Sequence, residues 1–111
     1  MVKHLAFLFI AILGANFSCA QDSLLTDVPV HDPVMIRQNG TYYLFATGRG
    51  ISVWSSKDMK GWKKEKPVFS SPPEWAVKAV PGFRGHIWAP DIAYYQGQYY
   101  LYYSVSTFGK N

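Results

Sequence analysis

Two short segments hold the residues best suited to chemistry: His31-Asp32-Pro33 and His86-Ile87-Trp88-Ala89-Pro90-Asp91-Ile92. A carboxylate such as Asp32 can take a proton from water, and a separated pair of carboxyl groups is what hydrolysis of a glycosidic bond needs. Trp88 offers an indole face on which the C–H groups of a sugar ring can pack. Each residue also has a plainer role. Asp commonly caps loops through neighbouring backbone, so a lone Asp-Pro carries little by itself, and Trp88 equally suits a core. His31 either orients Asp32 or faces a cavity, and His86 fits a loop better than a ligand position. The two histidines and scattered acids do not compose a metal site.

Short strands separated by turn signals must position these groups. Val34–Gln38 and Thr41–Ala46 flank Asn39-Gly40, a pair that accepts positive φ at both central positions of a hairpin turn. Gly48-Arg49-Gly50 reads as the next turn and Ile51–Ser55 as a third strand. Residues 57–62 form a polar loop and Pro67–Ser70 a fourth short strand. Residues 71–86 hold three prolines and two glycines and make a long connection, with one helical turn from Glu74 to Val80.

A second hairpin then repeats the first. Ile92–Gln96, Gly97 and Gln98–Tyr103 copy it at an offset of 57 residues, measured from Gly40 to Gly97 and kept by Tyr42/Tyr99, Tyr43/Tyr100 and Leu44/Leu101. All eight tyrosines fall in these two hairpins. An aspartate precedes each, Asp32 and Asp91, with a two-residue difference in spacing. Four strands per unit at this period is the pattern of a propeller blade; a single antiparallel sandwich with recurring Tyr-rich strands is the other reading. In a propeller the first strand of each blade lines the axis, so an Asp at its start projects into the axial cavity. Pro33 suits the entry of such a strand, because it fixes φ and removes a donor.

Composition narrows the classes further. With 49% hydrophobic and 17% aromatic residues the chain is no disordered tail. Eleven basic against seven acidic residues give +4, and five lysines between 57 and 66 account for the excess. They surround a turn and read as a solvated face rather than a nucleic-acid patch. Residues 1–20 carry a basic start, the apolar run Leu5–Leu13 and small residues up to Ala20, the pattern of an export signal cut before Gln21. Cys19 leaves lipoprotein processing open as an alternative, and as the single cysteine it allows no disulfide framework. After residue 20 no apolar run is long enough to span a membrane.

The motifs occur in one order: His-Asp-Pro, the Asn-Gly-Thr-Tyr-Tyr-Leu-Phe hairpin, Ser56-Lys57-Asp58 followed by Trp62, Trp88-Ala89-Pro90-Asp91-Ile92, and Tyr102-Tyr103-Ser104-Val105-Ser106-Thr107-Phe108-Gly109. That order resembles glycoside hydrolase family 43, and its endo-1,5-α-L-arabinanase branch in particular. The resemblance covers residues 31–111 and implies an all-β, five-bladed β-propeller, which the signal segment would send to the periplasm, the cell surface or the medium. Residues 21–111 would then be the front one and a half blades of a longer hydrolase domain, monomeric when complete. It implies an inverting cleavage of α-1,5-linked arabinan with Asp32 as the general base. Trp88, Phe108, Gly109 and His31 would lie at the substrate, with Asp91 and His86 supporting. The second catalytic Asp and the general acid Glu have no counterpart here, so the 111 residues alone are expected to be inactive. No cofactor is expected in this chain; a calcium ion would be held by residues further on. An exo-acting arabinofuranosidase or β-xylosidase, and a non-catalytic glycan-binding β domain, remain the alternatives.

Overall fold

In the computed structural model the described residues are 23–107. The export segment 1–20 with Cys19, and also Phe108 and Gly109, lie outside them.

The Asn-Gly signal produces the hairpin it encodes. Strands β1 (Val34–Gln38) and β2 (Thr41–Ala46) pair antiparallel with Gln38 opposite Thr41. Asn39 and Gly40 carry φ of 47° and 75°, the left-handed pair that matches strand twist. Two-residue β3 (Gly48–Arg49) follows, then β4 (Ser52–Ser56) returns along β2 with Leu44 opposite Trp54. The blade closes with β5 (Lys63–Lys64), giving the order β1-β2-β4-β5. Across the last pair the Lys64 ammonium lies 5.4 Å from the Trp54 ring centre, so an outer-strand lysine covers an apolar face while its head stays in water.

The expected fourth strand at Pro67–Ser70 is not formed; its place is taken by Lys63–Lys64. Pro67 has no N–H to give a ladder, and the chain instead turns back over the start of β4. There Val68 N–H donates to the Ile51 carbonyl at 3.2 Å and Phe69 N–H to that of Gly50 at 3.0 Å. Gly50, at φ 68°, is required: a Cβ there would collide with the Phe69 carbonyl oxygen. The loop between β4 and β5 is held by Asp58, whose Oδ1 accepts from Lys60 and Gly61 N–H at 2.9 and 3.0 Å. Those bonds hold its carboxyl below the usual range. This explains the spacing from Asp58 to Trp62, which is buried and exchanges two backbone bonds with Leu25.

The connection after residue 70 contains α1 (Glu74–Ala79), the one helical turn the sequence suggests. Its Ala76 packs with Phe83, Ile51 and Ile87 in the core between the sheets. Ile51 and Ile87 are both 0% exposed. Of the tryptophans other than Trp88, Trp54 and Trp62 are buried. Trp75 is not: it is 53% exposed, its ring 6.3 Å from Tyr103.

Strand β6 (His86–Tyr95) starts six residues earlier than the hairpin pattern predicts. Its first residues pair with β3, Gly48 opposite Ile87 and Arg49 opposite His86, so the expected Gly48–Gly50 turn is partly strand and ties the two sheets together. With β7 (Gln98–Ser104) it forms the second hairpin, bulged between Trp88 and Asp91. Apart from α1 the described chain is all β. No helix among the described residues is long and apolar enough to cross a membrane.

Candidate active site

Asp32 stands immediately before Pro33 and β1, at φ 49°, in the left-handed region that a residue preceding proline ordinarily avoids. The backbone around it is pinned by Thr47, the residue after β2, whose N–H donates to the His31 carbonyl at 3.0 Å. The side chains repeat the link. Thr47 Oγ1 donates to Asp32 Oδ2 at 2.8 Å, and His31 Nδ1 lies 2.8 Å from the same oxygen. An ionised carboxylate only accepts, so Nδ1 is the nitrogen carrying the proton. These bonds, Thr47 first and His31 second, outweigh desolvation and hold the Asp32 carboxyl below its ordinary value of 3.8. Its side chain is 42% exposed, open to water. Asp32 is therefore a reachable, ionised carboxylate with one oxygen engaged twice, and among the described residues Oδ1 is left for a solvent molecule.

Thr47 reaches the second sheet as well. Its Oγ1 accepts from Ala89 N–H at 3.0 Å, which places the Trp88-Ala89-Pro90 bulge beside Asp32. Trp88 is half-buried, its ring 5.7 Å from that of His86. Both line an open groove of about 560 Å³ with Phe83, Arg84 and Thr107. The structure thus brings together His31, Asp32 and, through the bulge, Trp88 and His86. His86, read from sequence as a loop residue, lies in β6 because Arg49 pairs with it.

Asp91 is not the structural counterpart of Asp32. The 57-residue offset and the backbone both match Asp32 to Ala89, with φ of 49° and 50° and a proline next in each case. His31 matches Trp88, and Thr47 matches Ser104, which stands opposite Trp88 as Thr47 does His31. Asp91 lies two residues further on, its Oδ1 accepting from Ile92 N–H at 2.9 Å. Glu65 is bound by the Ser55 hydroxyl at 2.7 Å, and Glu74 is exposed on α1. Neither reaches Asp32. Thr47 was invisible as a site residue in the sequence; its only trace is a hydroxyl at the same repeat position as Ser104.

Among the described residues no three His, Cys, Asp or Glu cluster as metal ligands. His31 is committed to Asp32, and the other acids are dispersed. These residues do not fit a calcium ion.

Fold and site together define part of a β-propeller with an ionised carboxylate at the entry of its inner strand. The family model described as Glycosyl hydrolases family 43 matches residues 25–111. The extracellular exo-α-(1→5)-L-arabinofuranosidase of Cellvibrio japonicus is 49% identical over 102 residues, which are 92% of this chain and 28% of that protein. The extracellular endo-α-(1→5)-L-arabinanase 1 of Bacillus subtilis is 42% identical over 115 residues, 100% of this chain and 34% of its own length. A Cellvibrio cellulosa α-L-arabinanase solved with arabinohexaose superposes with a TM-score of 0.72 at 55% identity, over 76% of this chain and 27% of that one. The chain belongs to glycosyl hydrolase family 43. It comprises about one and a half blades of that family's propeller and spans 27–34% of the relatives' length.

Proposed function

We propose that these residues are the front part of an exported hydrolase that cleaves α-1,5-linked arabinan with inversion, and that Asp32 is its general base. The observation that carries this is the Asp32 carboxylate: ionised, solvent-reached, held at Oδ2 by Thr47 and His31, and linked through Thr47 to the Trp88 bulge. A water at Oδ1 gives its proton to Asp32 as its oxygen attacks the anomeric carbon. The bond to the leaving sugar breaks, and an acid from a later part of the protein protonates the departing oxygen. Trp88 supplies the face on which the furanose packs, and Phe108 and Gly109 contribute to substrate binding. His31 keeps the base in place, while His86 and Asp91 support the bulge. Export through residues 1–20 accords with the extracellular names of the relatives. The complete protein acts as a monomer, and any calcium site is built from later residues.

The test is product analysis on linear α-1,5-arabinan with the complete protein. The new reducing ends should first emerge as the β anomer, and the 111-residue chain alone should release nothing. Products emerging as the α anomer, or turnover by the short chain, would refute the reading. The 49% identity to an exo-acting relative favours a second version, in which attack occurs at chain ends. A slow fall in viscosity with one short product distinguishes it from internal cleavage.

A further inference from the structure

Thr47 occupies a position that the proposed chemistry leaves unexplained. It is half-buried, lies just past the end of β2, and makes three bonds, two to the pre-proline residues Asp32 and Ala89 in the left-handed region and one to His31. Its backbone N–H holds His31, its hydroxyl accepts from Ala89 N–H, and the same hydroxyl donates to Asp32 Oδ2. A threonine hydroxyl has one proton. With Ala89 N–H occupying a lone pair, that proton is directed at the carboxylate, and accepting the first bond strengthens the second.

We infer that Thr47 is a positioning residue for the reaction: its hydroxyl, oriented by the Ala89 amide of the second sheet, fixes the Asp32 carboxylate so that Oδ1 is the oxygen presented to water. This rests on Asp32 being the general base, as proposed above. The hydroxyl thereby sets the placement of the base against the bulge that carries Trp88. His31 is the titratable group in contact with Asp32, and it is kept in every Thr47 variant.

The experiment is a kinetic comparison in the complete protein of Thr47→Val, which keeps the shape and loses the hydroxyl, with Thr47→Ser, which keeps the hydroxyl. Thr47→Val should lower kcat roughly 10- to 100-fold, the cost of a misplaced reacting group, and leave KM within about twofold. The acidic limb of its pH–rate profile should move up toward the ordinary carboxylate value, because the largest cause of the depression is gone. Thr47→Ser should recover most of kcat and the low acidic limb. If Thr47→Val does not fold, Thr47→Ala gives the same comparison. A hydroxyl-free variant with wild-type kcat and an unmoved acidic limb overturns the inference, as does Thr47→Ser behaving like Thr47→Val. Asp32→Asn separates the two levels. If it is inactive while Thr47→Val is normal, only the positioning role falls; if it turns over normally, the base assignment falls and this inference with it.

Discussion

The two hairpins share one backbone and a Tyr-Tyr-Leu second strand, and differ at the entry positions that face the site. Both enter through a left-handed residue before proline, and both turn through a left-handed pair, Asn39-Gly40 and Gln96-Gly97. In the first, the entry positions hold His31 and Asp32; in the second they hold Trp88 and Ala89. One repeat thus presents a carboxylate and the other an aromatic face, joined by Thr47. Among the described residues β2 is flanked by β1 and β4, and β7 pairs with β6. A repeated scaffold fixes where side chains emerge, and the identity of each side chain is then free to diverge.

Breaking the junction between the two regions should have the largest effect on stability. Ile87, fully buried where β6 meets β3, anchors the second hairpin to the core of the first. Ile87→Ala should cost about 2–5 kcal/mol, read by denaturant unfolding of the complete protein. A loss below about 1 kcal/mol would show that the hairpins are held together elsewhere. Sharpening the comparison needs a smaller change. Gln96 adopts φ 48°, which Asn tolerates better than Gln. Gln96→Asn should copy the first turn and stabilise by about 0.5 kcal/mol, within the range of turn substitutions that relieve such strain. A destabilised Gln96→Asn would mean that the two turns are not equivalent.

What the sequence discloses here is mostly local. Asn39-Gly40, the Tyr-rich strands and the helical turn at Glu74 depend on near neighbours, and all are found where residue types place them. Lys63–Lys64 was not legible as a strand, because two lysines have little preference for one and pairing with Trp54 and Ser55 decides the matter. The early start of β6 depends on β3, almost forty residues upstream. At the site, Asp32 and Trp88 stand out by type and motif. Their link does not, since Thr47 sits between Ala46 and Gly48 with nothing local to mark it. The match of Asp32 to Ala89 rather than Asp91 is likewise a backbone fact, masked in the sequence by a second aspartate two residues along.

That match carries the central claim, that the first hairpin's carboxylate performs the chemistry and the second hairpin's does not. The direct measurement is kcat on linear arabinan for Asp32→Asn and Asp91→Asn in the complete protein, side by side. Asp32→Asn should lose roughly 10²–10⁴-fold, the contribution of a general base, while Asp91→Asn stays within about threefold, as expected of a group that touches no reacting atom. Near-normal turnover by Asp32→Asn, or an equal loss in both variants, would contradict it.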